Sequence, residues 1–322
     1  MNADVPLLKL PDVAMNRILR HCEYLDFARL RKTCHSLRGF LDTTRPDARM
    51  DIVVIECDAQ QVTFRLLSSE KRLIIQYKNV VFGCRIVCNS NWASSKFLRG
   101  MNYMEVFKND LAIFLRYQKS LLKNLEIHGN PVYSEEVLRA MNHLLLKTTK
   151  LSLIDLSVPQ ILRALSSIDA KFLNILQISK NGGIVDFNEI TATEHWKHLN
   201  HCVLLTFAIS DICRISHFNE FHGVTNSITV ADLDFLKKTF VNSSTFNRCI
   251  IRYNETISLS DTVGKFGVQP YENEWDRSTK QWCFRIPNDN TKVLKLDVNN
   301  RSFIGFTRVS AADVPYAAVV TN

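Results

Sequence analysis

The amino-acid sequence predicts an α+β / α/β repeat protein, in which a short N-terminal three-helix unit leads into a strand–helix stack with antiparallel strands added before and after it. Three observations carry this reading. Residues 8–42, "LKLPDVAMNRILRHCEYLDFARLRKTCHSLRGFLD", hold apolar residues at helical spacing. Residues 52–87 change to alternating, β-branched runs. From residue 121 onward, short apolar strands return at a nearly constant interval.

The first helix opens at Pro11, a first-turn position where the missing N–H of proline removes no helical bond. It continues through Val13, Ile18, Leu19 and Cys22. A second helix is expected after Asp26 as its N-cap, with Phe27, Leu30 and Cys34 on one stripe, and a third runs through Leu37, Phe40 and Leu41. "TTRPDAR", residues 43–49, breaks the pattern, because Pro46 pushes the residue before it out of the helical region. It reads as a linker that insulates the repeats from the helical unit. The runs "DIVVIEC", "QVTFRLL" and "RLIIQYKNVVF" read as an antiparallel meander. A helix is expected between Trp92 and Leu122, since Tyr103, Val106, Phe107, Leu111, Phe114 and Leu115 fall on one face.

The strands of the stack end at Ile127, Leu153, Ile178 and Leu205, every 25 to 27 residues. Leu122, Leu125 and Ile127, and again Leu173, Leu176 and Ile178, have the L-x-x-L-x-L spacing of leucine-rich repeats. The stack is therefore expected to be irregularly leucine-rich-repeat-like, without the asparagine ladder of a strict repeat. Ser134, Ser157 and Thr229 are the expected caps of its helices. The C-terminal strands are "CIIRYN", "WCFRIP", "VLKLDV" and "SFIGFTRV", the last two joined as a hairpin across Asn299–Asn300. The tail has no pattern and reads as disordered. The expected division is 1–45 for the helical unit, 46–120 for the meander and its helix, 121–310 for the repeats and 311–322 for the tail.

Apolar residues make up 46% and charged residues 22% of the 322, enough to bury a sizeable core. No apolar run reaches 18 residues, and Asp4 and Pro6 interrupt the start, so neither a membrane span nor a secretory leader is expected, and no membrane partner. Nine cysteines scattered without framework spacing fit a reduced, intracellular chain, cytoplasmic and/or nuclear. The net charge is +8, but basic residues are interspersed with acidic ones and no basic run occurs, which disfavours nucleic acid as a partner.

His195, His198, His201 and Cys202 in "HWKHLNHC" offer metal ligands, yet steps of three residues do not return to one helical face. Trp196 and Leu199 are expected to pack inward instead. Cys84 and Cys88 share a strand face, with Cys57 as the one further candidate ligand, and are expected to be structural thiols. There is no nucleophile elbow and no glycine-rich phosphate loop, Gly182–Gly183 standing alone among ten glycines. No catalytic, cofactor-binding or metal-ligating residue is assigned, and the chain is not expected to be an enzyme.

Leu10–Pro11, Ile18–Leu19, Cys22, Asp26–Phe27, Leu30–Arg31 and Leu37–Arg38 fall without a gap into the register of an F-box, which the first segment resembles. Cys22 and Leu37 depart from the usual Leu and Trp but stay apolar. The remainder resembles the FTH domain that follows the F-box in a nematode-expanded family, through "MEVFKNDLAIFLRYQKSLLKNLEI", "EHWKHLNHCVLL", "HFNEF" and "ITVADLDFLKKTFVNSSTF". The resemblance implies that the F-box docks onto a Skp-type adaptor and, through it, a cullin scaffold of an SCF-type ubiquitin ligase. The repeats would then hold an unknown target protein, on the face of the strands ending near Ile127, Leu153, Ile178 and Leu205 together with the C-terminal hairpin region. The alternative is a ligase-independent interaction scaffold. A 40-residue unit buries too little surface to be stable alone, so its surplus apolar residues are expected to meet a partner. Leu8, Leu10, Pro11, Ile18, Leu19, Phe27, Leu30 and Leu37 form the expected adaptor-binding set.

Overall fold

A computed structural model describes residues 9–69, 71–89, 93–142, 144–182, 185–253, 259–272, 278–299 and 303–321. The chain divides into two compact units, Met1–Leu151 with Pro159–Phe172, and Ser152–Val158 with Leu173–Asn322. The first crossing between them falls within a strand at 151/152, whereas the sequence placed the start of the repeats at 121.

In the first unit, α1 (Asp12–Leu19), α2 (Tyr24–Thr33) and α3 (His35–Thr44) make up the N-terminal helices. Asp26 is not the N-cap of α2. The helix starts two residues earlier because Glu23 and Asp26 satisfy each other's backbone N–H groups in a capping box, Glu23 N donating to Asp26 Oδ2 at 3.0 Å. The segment after α3 does not insulate anything. Ala48 N donates to Tyr117 O (2.7 Å), Met50 N to Gln118 Oε1 (3.1 Å), and Asp47 Oδ1 accepts from the N–H groups of Lys119 and Ser120 (3.0 and 3.2 Å). Pro46 stops the helix as expected, but the residues beyond it are fastened down, with Ala48 and Met50 buried.

The meander consists of β1 (Ile52–Cys57), β2 (Gln61–Leu67), β3 (Arg72–Val80), β4 (Gly83–Asn89) and β5 (Ala93–Arg99), each antiparallel to the next. β5 takes up ground where a helix was expected, since "ASSKFLR" carries no alternation to announce a strand. The helix itself, α4 (Tyr103–Tyr117), comes next, with the Asn102 side chain accepting from Met104 N and Glu105 N. After it, β6 (Asn124–Gly129) pairs parallel with β1, Ile127 beside Ile55. α4 lays Phe107 and Phe114 against Phe64, and Phe107 also meets Tyr77. From the N-terminal helices, Tyr24 meets Phe114 edge-on (5.2 Å) and Phe27 stacks on Tyr117 (5.9 Å).

α5 (Pro131–Met141) is capped by Asn130, whose side chain accepts from Val132 N at 3.0 Å. Ser134 lies inside this helix, donating to Asn130 O, and is not its cap. β7 (Lys150–Ile154) contains the division between the units, and α6 (Val158–Ser166) begins directly after Ser157.

The second unit continues with β8 (Ile175–Ser179), β9 (Val185–Asp186), α7 (Asn188–Thr191), α8 (Glu194–His198), β10 (His201–Ala208), β11 (Glu220–Thr225), α9 (Val230–Asn242), β12 (Arg248–Tyr253), α10 (Leu259–Phe266), β13 (Tyr271–Glu272), β14 (Thr279–Ile286), β15 (Asp289–Asn299), β16 (Phe303–Ser310) and β17 (Val320–Thr321). β8, β10, β11 and β12 are parallel neighbours in that order, and β16, β15 and β14 extend the sheet antiparallel from β12. β11 was not foreseen as a strand. Thr229 caps α9 as expected, in a capping box with Asp232.

One expectation about this unit is corrected, that of a disordered tail. The entrances of the strands are tied together in series by main-chain hydrogen bonds. Asn174 O accepts from the N–H groups of Asn200 and His201, Asn200 O from Asn219 and Glu220, and Asn219 O from Asn247 and Arg248, at 2.9–3.1 Å. The tail is structured: Ala311–Asp313 form a 3-10 turn capped by Ser310, and β17 pairs parallel with β14. The β15–β16 hairpin pairs Asn299 with Phe303, while Asn300 lies outside the described residues.

Candidate functional site

The first candidate surface is the outside of the N-terminal helices. One turn apart on α1, Met15 and Leu19 point inward and are buried. This leaves Val13 81% exposed and Ile18 40% exposed on the other side of the helix. Pro11 is exposed, and Leu10 and Leu30 are half-buried. Three members of the expected contact set lie elsewhere: Leu19, Phe27 and Leu37 are buried in the chain's own core, Phe27 beneath Tyr117. A side chain already covered by its own chain has no area left to bury against a partner. Leu8 lies outside the described residues. Val13, more exposed than Ile18, was not in the expected contact set.

A polar network fixes this surface to α4. Arg31 forms an ion pair with Asp42 and donates from Nη1 to Tyr117 Oη (3.0 Å), and Tyr117 Oη donates to Asp42 Oδ1 (3.0 Å). Burial raises the Tyr117 hydroxyl, and Arg31 opposes that rise. Nearby, Tyr77 Oη donates to Asp110 Oδ2 at 2.7 Å, and its hydroxyl is held well up by burial first and by Asp110 second. These phenols stay neutral and act as hydrogen-bond donors.

The second candidate surface is the outward face of the parallel strands in the second unit. Along β10, Cys202 and Leu204 are buried while His201, Val203 and Leu205 face outward. Registered across from His201 is Glu220, and across from Glu220 is Arg248. Glu220 accepts from Asn247 Nδ2 (2.6 Å) and sits 3.2 Å from His201 Nδ1. The Asn247 bond, then His201, holds its carboxyl below the usual range. One row further along lie Val203, His222 and Ile250. Burial lowers His222, and Arg252 and Arg248 add to the effect. The row presents hydrogen-bonding and charged groups on the outward face of the strands.

The residues that could have carried metal or covalent chemistry do not meet. His195 and His198 ride on α8, His201 opens β10 against Glu220, and Cys202 is buried in the core. Trp196 and Leu199 do pack inward. Cys57 and Cys84 are buried thiols, and burial pushes Cys57 up to about 12. Among the described residues, no three His, Cys, Asp or Glu side chains are grouped to hold a metal ion. No described helix is long and apolar enough to cross a membrane.

Family models match residues 7–48, as the F-box domain, and residues 133–263, as the FTH domain. The chain is 25% identical over 300 residues to F-box A protein 224 of Caenorhabditis elegans, an alignment covering 88% of this chain and 75% of that relative. No solved structure matches. The chain thus carries an F-box, whose three helices are α1 to α3, followed by an FTH domain, an arrangement consistent with the nematode F-box/FTH family.

Proposed function

We propose that the chain is the substrate-recognition subunit of an SCF-type cullin-RING ubiquitin ligase. Its F-box binds a Skp-type adaptor and, through it, a cullin scaffold. The FTH region binds a target protein, and the ubiquitin chemistry belongs to other subunits. The observation that supports this most is the apolar remainder of the F-box: once its core is filled, Pro11, Val13 and Ile18 stay exposed and Leu10 and Leu30 stay half-covered. Val13, which is largely exposed, contributes about 1.5–3 kcal/mol when fully buried in a partner, and the partly covered ones less.

The target is assigned to the outward face of β8, β10, β11 and β12, the part of the expected repeat surface that lies within one unit. Leucine-rich-repeat-like stacking of these strands, and a cytoplasmic and/or nuclear location, belong to the same proposal.

Co-expression with a Skp-type adaptor tests the reading. The wild-type chain should co-purify with it. Val13→Asp with Ile18→Asp should weaken the complex at least tenfold and leave the melting temperature unchanged, because both side chains are on the surface in the free chain. Absence of a complex with the wild-type chain removes the ligase reading and leaves the ligase-independent scaffold.

A further inference from the structure

Residues 71–104 contain six cations, Lys71, Arg72, Lys78, Arg85, Lys96 and Arg99, and no aspartate or glutamate. Five of the six, all but Lys71, lie in β3, β4 and β5, an exception to the interspersed pattern of the whole chain with its net charge of +8. Because the charges are spaced along the strands, no basic run exists in the sequence. The sheet brings Lys78, Arg85 and Arg99 onto one face: Lys78 lies across from Arg85, Arg85 across from Phe97, and Gly83 across from both Val80 and Arg99. Residues in one such row share a face. Leu73, Tyr77 and Cys84, of the other parity, are buried, so Lys78, Arg85 and Phe97 belong to the outer face. Among the described residues, Lys78, Arg85 and Arg99 form no ion pair.

The turn joining β3 to β4 is Val81–Phe82. A two-residue hairpin turn with positive φ favours Asn, Asp or Gly. Here Phe82 has φ 68°, and Val81 and Phe82 are 77% and 79% exposed. A bulky apolar residue held in a left-handed conformation at the most solvated point of a sheet is costly twice over, in backbone strain and in exposed surface. An observed outlier of this kind points to a function. Gly100 N donates to Phe82 O at 2.8 Å, which sets the next turn, with exposed Met101, beside the tip.

We propose that this hairpin docks onto an anionic lipid membrane surface, with Val81 and Phe82 at the acyl boundary and the basic face among the headgroups. Strands rise about 3.3 Å per residue, so Arg85 lies roughly 10 Å behind Phe82, and Arg99, across from Gly83, lies about one residue behind it. A headgroup layer is about 5–8 Å thick on each side of a bilayer. Phe82 at its inner boundary puts Arg99 among the phosphates and Lys78 and Arg85 at the outer edge. A convex two-residue tip needs a matching pocket on a protein partner, whereas a bilayer yields to it. A nucleic acid would meet the cations but gives Val81 no apolar surroundings. This reading replaces the expectation of no membrane partner, which considered only spans and a leader.

The full chain is tested by co-sedimentation with vesicles of phosphatidylcholine alone and of phosphatidylcholine with about 30% phosphatidylserine, an anionic surface of the kind that attracts basic segments. The wild type should pellet with the anionic vesicles only, and less at raised salt. Lys78→Ala with Arg85→Ala should lower partitioning roughly 30-fold, from about 1 kcal/mol per basic residue near the surface. Phe82→Gly is the decisive variant, since glycine accepts the positive φ. It should melt no lower than the wild type yet lose binding at least tenfold. The proposal is overturned if the wild type ignores anionic vesicles or binds neutral ones equally. It is also overturned if Phe82→Gly binds like the wild type, or if single-stranded oligo(dT) is bound regardless of Phe82 while vesicles are not.

Discussion

Replacing Phe27 by alanine should unfold more than the F-box. The Phe27 side chain is buried and stacks on Tyr117 at the end of α4, and α4 in turn packs Phe107 and Phe114 on Phe64 of the meander. Buried Phe→Ala changes cost about 3–5 kcal/mol, the aromatic stack supplying about 0.5–1.5 of it. A domain's whole stability is about 5–15 kcal/mol, so this is a large share. In a unit of this size it lowers the melting temperature by about 6–20 °C. Native-state hydrogen exchange on the amides of β2 and β3 is the direct assay. If F-box and meander form one cooperative unit, protection at Val62, Phe64 and Tyr77 falls with the same free energy as the global loss. Unchanged protection there, with the F-box helices alone opened, would refute this integration and restore an insulating linker.

Two further outcomes are expected in the second unit. Thr229→Ala removes the cap of α9, where Thr229 Oγ1 accepts from Asp232 N at 3.1 Å, and should cost about 1 kcal/mol, read from the urea midpoint. Asp297 has a buried Oδ1 with no hydrogen-bond partner among the described residues, and burial raises its carboxyl against the pull of Lys295. A raised carboxyl means that folding favours the neutral acid. Its contribution is most favourable below the ordinary carboxylate value of about 3.9 and is lost as pH rises through the folded value. Asp297→Asn should therefore melt higher than the wild type at pH 7, with the gap closing as the pH is lowered below about 4. A gap that widens on acidification would contradict the sign.

Helical spacing was enough to place α1, α4 and α9, because each buries a continuous apolar stripe. Spacing could not tell the two sides of α1 apart. Met15 and Leu19 face the core and Val13 and Ile18 do not, and only tertiary packing decides which side is covered. β5 and β11 were illegible for a related reason: their neighbours in the sheet supply the hydrogen bonds and the burial that "ASSKFLR" and "EFHGVT" do not advertise. The main-chain bonds that link the strand entrances in series left no sequence signal, because backbone N–H and C=O groups are common to every residue and the intervals are set by loops of unequal length. Charge adjacency across β3, β4 and β5 is a property of register, which a linear scan for basic runs cannot see.

So short an F-box holds together only by borrowing from the rest of its unit. It completes its core with its own chain, through Tyr24 on Phe114, Phe27 on Tyr117, and the Arg31–Asp42–Tyr117 network. Apolar residues used in this way cannot also serve a partner, which divides the F-box residues between two tasks. Leu19, Phe27 and Leu37 hold the domain in place, while Leu10, Pro11, Val13, Ile18 and Leu30 keep uncovered surface, which is where the adaptor is proposed to bind. A substitution in the first group reaches an adaptor only by displacing the helices that carry the second. Under the proposed function, a substitution in the second group should weaken binding and leave the fold alone, so comparing melting with co-purification separates the two.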